Sequence, residues 1–154
     1  MTCSQRSRMR TSNTRQAGLS MIEVLIAILV TVVGLFGVMK LQMTAVSNTH
    51  SSYFRSQAAV LTNAMIDHLR ANPSSALGGN YDIGLTEAPP TSGGLEVIDL
   101  GQWRADLAVG LPSGVGAVAC TQATRVCNLT VQWDDSRGLT GSNTQQFSLA
   151  VRLQ

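Results

Sequence analysis

Gly18-Leu19-Ser20-Met21-Ile22-Glu23-Val24-Leu25 opens an apolar run that continues to Met39, and its reading decides the fold. Leu19 to Met39 is 21 residues, interrupted by polar side chains only at Ser20, Glu23 and Thr31. At ~1.5 Å rise per residue, a helix of that length spans roughly 30 Å, the hydrocarbon thickness of a bilayer. One carboxylate, Glu23, lies inside it. An unpaired charge in hydrocarbon is costly, so Glu23 is a candidate functional residue from the outset.

Upstream, residues 1–18 carry Arg6, Arg8, Arg10 and Arg15 and no acid. Residues 19–154 hold seven Lys or Arg against nine Asp or Glu, a balance of −2, so the formal charge of +2 belongs to the leader. There it reads as a topology signal that keeps the leader cytoplasmic and exports the rest, not as a nucleic-acid footprint. A secretory signal peptide is the bland alternative. Its apolar region is ~7–15 residues and ends in a small-x-small site, which Gly34-Leu35-Phe36-Gly37 does not supply well. An uncleaved signal anchor fits the span better but leaves Glu23 unexplained.

The helical pattern continues past the membrane length. No proline follows Lys40 until Pro73, and Phe54, Ala58, Leu61, Met65 and Leu69 recur at spacings that put them on one face. Thr62, Asp67 and Arg70 fall largely off that stripe, and Asn72-Pro73 ends the helix. One helix of ~50 residues and roughly 75–80 Å is expected. Ser47-Asn48-Thr49-His50-Ser51-Ser52 reads as a weak place or bend, and Gly34 and Gly37 weaken the first half.

Residues 73–94 read as an irregular, turn-rich connection: Gly78-Gly79-Asn80, Pro89-Pro90, Gly93-Gly94. Leu95–Ile98 is too short to classify. Asp99 with Gln102 resembles a capping box that opens a short helix through Trp103 and Leu107 to Pro112, although Trp103, Ala105, Leu107 and Val109 also alternate as a strand would. Three strands are expected at Gly116–Cys120, Val126–Trp133 and Gln146–Leu153, with alternating apolar residues in the last two. Asp134 through Asn143 reads as a polar loop, its Asp134-Asp135 pair a solvated turn with too few carboxylates to hold calcium. The fold class is α+β: a long N-terminal α-helix packed on a small C-terminal antiparallel β-sheet. The chain divides into a leader (1–18), a membrane half of the helix (19–39), an amphipathic half (40–72) and a C-terminal globular domain (73–154).

Cys3 lies in the leader, and Cys120 and Cys127 in the exported part. If the leader is removed, an even pair remains in an oxidising compartment, for which a disulfide is the natural reading and two reduced buried cysteines the alternative. No His or acid stands at ligand spacing from them, so no metal site is expected. The chain's two histidines, His50 and His68, belong to no nucleophile-base set; His68 beside Asp67 reads as a surface pair, and Trp103 and Trp133 as core or interface residues. An enzyme is not expected, nor a cofactor.

Gly18-Leu19-Ser20-Met21-Ile22-Glu23-Val24-Leu25 resembles the processing motif of type IV pilins and type II secretion pseudopilins, commonly Gly-Phe-Thr-Leu-Ile-Glu, with Leu19 where Phe is usual. A narrower resemblance links Leu69-Arg70-Ala71-Asn72-Pro73, Tyr81-Asp82, Trp103, Leu111-Pro112-Ser113-Gly114 and Val131-Gln132-Trp133-Asp134 to the minor pilins called type IV pilus modification protein PilV. Major pilins usually carry proline at the position of Lys40, and this chain does not. The resemblance implies that a prepilin peptidase cuts between Gly18 and Leu19, that Leu19 becomes the N-methylated first residue, and that Glu23 serves processing and subunit docking. It implies partners among other minor and major pilins through helix–helix packing, the inner-membrane assembly platform, and the lipid bilayer before assembly. The subunit would begin as a single-pass inner-membrane protein with a periplasmic C-terminal domain and end in the pilus at the cell surface. A type II secretion minor pseudopilin, and a tip adhesin or other binding module, are the alternatives; no nucleic acid is expected as partner.

Overall fold

A computed structural model describes residues 18, 20–138 and 141–154. The expected leader residues 1–17 and the expected processing residue Leu19 lie outside the described residues. The chain divides into two compact units, residues 1–40 and 41–154. Helix α1, Met21–Ala71, supplies all the regular structure described in the first. There it is long and apolar enough to cross a membrane, with none of its most apolar window buried. The run from Ser47 to Ser52 is helical throughout, so the expected weak place does not interrupt the helix.

In the second unit, α1 buries Ala58, Thr62, Met65, Ile66 and Leu69. The predicted stripe is therefore correct in phase but broader than expected, and Thr62 belongs inside it. Its hydroxyl donates to the Ala58 carbonyl at 2.7 Å, which satisfies the polar group without a partner from outside the helix. Asn72 leaves the helical region (φ −133°, ψ 63°), and Pro73 starts a second helix, α2, Pro73–Leu77. Proline suits that first position because its missing N–H would have no intrahelical acceptor there. The connection expected to be irregular thus contains one short helix.

Helix α3 spans Leu95–Gly110, a turn earlier than the sequence suggested. The expected capping box at Asp99 and Gln102 is not formed: Gly94 precedes the helix, and Glu96 reaches back to accept the Gly94 N–H at 2.9 Å. Trp103 and Leu107 are buried on one helical face, so the strand alternative for 103–109 is overturned. Strands β1 (Val115–Thr121), β2 (Val126–Trp133) and β3 (Gln145–Arg152) form an antiparallel sheet in the order β1-β2-β3. Its inner face carries Val118, Cys127, Leu129, Val131 and Trp133, which join Met65, Leu69, Tyr81, Leu100 and Trp103 in one core.

Gly116 sits tightly against α3. A Cβ there would enter the Trp103 ring and come within 2.7 Å of the Leu107 Cδ1. Gly116→Ala is expected to cost roughly 1–3 kcal/mol through overpacking, read as a lower midpoint of urea unfolding with an unchanged slope.

Candidate functional site

The predicted site residues fall in the two different units. In the first, the Ser20 carbonyl accepts the N–H groups of Glu23 (2.9 Å) and Val24 (3.3 Å), which starts α1 and puts Glu23 in its first turn. A carboxylate there is favoured by the positive end of the helix dipole. Glu23 is exposed and shares an open groove along the helix with Val24, Ala27, Ile28, Thr31 and Val32. The Thr31 hydroxyl donates to the Ala27 carbonyl at 2.7 Å, so this polar group is satisfied within the helix. No such contact involves the Glu23 carboxylate among the described residues. Among the described residues, nothing crowds Gly18.

In the second unit, Cys120 and Cys127 face each other in register and are joined by a disulfide, with Cα atoms 4.0 Å apart. The bridge closes the β1–β2 hairpin one rung from its turn, where Arg125 sits in the left-handed region at φ 55°.

Sequence reasoning missed a buried polar centre. Asp99, 7% exposed, accepts the Tyr81 hydroxyl at 2.7 Å and faces His68 Nδ1 at 3.2 Å. His68 is therefore tied to α3 and not to Asp67, whose carboxylate meets Arg70 at 3.5 Å on the surface. The signal that existed was phase: Asp99 stands four residues before Trp103 and eight before Leu107, on the buried face. Burial, with the bond to Asp99, pushes the Tyr81 phenol up to about 12 against a bond from Asn72. A folded-state value above the ordinary 10.0 means stability that is complete below pH 10 and lost as pH rises towards about 12. Thermal melts between those pH values are expected to fall more steeply for the natural chain than for Tyr81→Phe; parallel slopes would remove Tyr81 from the titration.

Two further groups fix loops. Arg104 donates to the carbonyls of Gly84, Leu85 (3.2 Å) and Glu87 (2.9 Å). Desolvation pulls its pKa down from the ordinary value, with the Glu87 carboxylate opposing. The loop after β2 is latched to α1: Ser51 donates to the Asp135 carboxylate at 3.1 Å, and Ser47 to the Arg137 carbonyl at 3.0 Å. Asp135 is 4% exposed and Asp134 half-buried, so the carboxylate pair is not the freely solvated turn expected. The Ser136 hydroxyl and N–H together lower the Asp134 pKa. Among the described residues, no three of His, Cys, Asp and Glu come close enough to hold a metal ion.

No family model, curated protein or solved structure matches the chain.

Proposed function

We propose that the chain is a minor pilin of a type IV pilus, processed by a prepilin peptidase and acting in pilus assembly, initiation or modification, and so in adhesion and twitching motility. One observation carries this reading: Glu23 is the only charged side chain in the 21 residues from Leu19 to Met39, and it follows Gly18 at the end of a basic leader. Cleavage after Gly18 makes a new α-amino group at Leu19. That amine, still cationic after methylation, pairs with Glu23 of a neighbouring subunit. Either charge alone in hydrocarbon is costly, whereas the pair is tolerated, so docking selects one axial register as the subunit leaves the bilayer. Small Ala27 and the internally bonded Thr31 beside Glu23 suit close helix approach. The fold beyond Lys40, an amphipathic helix half on a disulfide-closed sheet, supports the reading by layout. No enzyme activity, cofactor or nucleic acid enters it.

Gly18→Leu is expected to abolish processing, and intact mass spectrometry reads it directly. A mature N-terminus at Leu19 in that variant would overturn the assigned junction. Deletion separates the alternatives: loss of pili favours the pilus reading, lost secretion with intact pili favours a pseudopilin, and intact pili that fail only to adhere favour a tip adhesin.

A further inference from the structure

The two sulfurs of the Cys120–Cys127 bridge lie in unlike surroundings. Cys127 is on the central strand, fully buried in the core, with Val151 of β3 opposite it on the side away from Cys120. Cys120 is on β1, at one end of the strand order, and stays half-buried. Its N–H points away from β2 and donates to the Asp82 carboxylate at 2.7 Å. Asp82 itself is exposed.

That asymmetry matters for thiol–disulfide exchange, in which a thiolate attacks one sulfur of a disulfide and expels the other. The attacking thiolate approaches along the S–S axis, from the side opposite the sulfur that leaves. For Cys127 that line comes from the β3 side, where Val151 stands. For Cys120 it comes from the outer side of β1, where Asp82 stands. One path is closed by packing, and the other is open but passes a negative charge.

We propose that the bridge is formed and opened through the Cys120 sulfur alone, by exchange with a protein disulfide of the Cys-x-x-Cys class, and that Asp82 guards that sulfur. In formation, the Cys120 thiolate attacks the oxidant's disulfide and one of the oxidant's thiolates leaves. The Cys127 thiolate then attacks Cys120 in the mixed disulfide and expels the second. Two thiols of this chain are oxidised to one disulfide, the oxidant is reduced to a dithiol, and the two protons pass to it. Opening runs the same path in reverse, and its first step expels Cys127 as a thiolate onto the apolar inner face. A charge there is costly, and Asp82 repels the incoming thiolate, so a passing thiol finds neither sulfur easy to attack. The hairpin is thus closed once, and its register with it. The compartment in which such an oxidant acts rests on the export proposed above; the order of attack does not.

The test uses the full chain in detergent micelles, with Cys3→Ser and the bridge closed. Reduced glutathione is added, and the mixture is quenched with N-ethylmaleimide and digested with trypsin. Cleavage at Arg104, Arg125 and Arg137 puts the two sulfurs on separate peptides, 105–125 and 126–137. Glutathione is expected on 105–125 in about tenfold excess or more over 126–137, and the excess should vanish in urea. Equal labelling in the folded chain, or an excess on 126–137, would overturn the proposal. Asp82→Asn keeps an acceptor for the Cys120 N–H and removes the charge. Glutathione should then attack about threefold faster at low salt and no faster in concentrated salt; an unchanged rate at low salt would overturn the guarding role of Asp82. For formation, the reduced Cys127→Ser chain should trap a purified Cys-x-x-Cys oxidase as a mixed disulfide on a non-reducing gel, and Cys120→Ser should not. Capture by Cys120→Ser, in a chain whose tryptophan fluorescence shows it folded, would also overturn the proposal. The glutathione mapping needs neither variant, so the order of attack is decided even where one fails to fold. Failure of the Gly18 junction test would leave these results untouched.

Discussion

Glu23→Val is expected to leave membrane insertion intact and to lower recovery in sheared filaments at least tenfold. Valine is more compatible with hydrocarbon than the carboxylate it replaces, so α1 loses nothing as an anchor. On the proposed docking role, what the variant loses is the partner for a neighbour's terminal amine. Removing one member of a buried ion pair costs ~3–5 kcal/mol, and half the lower figure is already a tenfold change in an equilibrium constant. Glu23→Gln should fall between the two, since an amide can accept the hydrogen bond without supplying the charge. The measurement is the ratio of subunit in filament and membrane fractions, with processing at Leu19 verified by mass in each variant. Equal ratios for the natural chain and the Glu23→Val variant would sink the docking role even if the junction is cut as proposed. The alternative account, a glutamate snorkelling to the headgroups from a helix end, predicts that equality.

The long helix, the strands and the disulfide were legible because each rests on a local pattern. An apolar run of bilayer length, a period of two in residues 127–133, and two cysteines close in sequence all show without knowledge of what lies opposite. The start of α3 was not legible. Gly93-Gly94 looked like the end of a turn, and the group that serves the helix end is Glu96, inside the first turn, reaching back to Gly94. The same limit applies to Asp99, Asp135, Ser47 and Ser51. Polar residues are ambiguous in sequence because their burial depends on partners brought by other elements: Tyr81 and His68 for Asp99, the loop after β2 for the two serines. Ser47 and Ser51 were poor helix formers by propensity, yet one helical turn apart they make a two-point latch for that loop. Tertiary bonds offset a local preference of a few tenths of a kcal/mol, roughly, at each position. At Glu23 the position is reversed: the motif around it was plain in the sequence, and the helix adds only its place in the first turn.

Asp99→Ala is expected to be the most damaging polar substitution in the second unit, with a stability loss of ~2–4 kcal/mol. Asp99 is nearly buried, and the fully buried Tyr81 gives its hydroxyl proton to it at 2.7 Å. Truncation removes the acceptor from a phenol that cannot turn to water, and an unsatisfied buried donor costs ~1–3 kcal/mol in itself. Loss of the His68 contact adds little, because that side chain is 49% exposed and can be solvated. The opposing term is relief from burying a carboxylate, which keeps the net below the sum of the lost bonds. The variants should therefore rank in a definite order. His68→Gln is nearly neutral, Asp99→Asn intermediate because its amide oxygen still accepts from Tyr81, and Asp99→Ala worst. At ~4–8 °C per kcal/mol for a domain of this order of size, Asp99→Ala lowers Tm by roughly 8–32 °C. The chain's two tryptophans, Trp103 and Trp133, are both buried in this unit, so their fluorescence follows its melting without interference from the apolar half of α1. Should His68→Gln prove as costly as Asp99→Ala, the centre would be held by its ion pair and not by the Tyr81 hydrogen bond, and that ranking would fail.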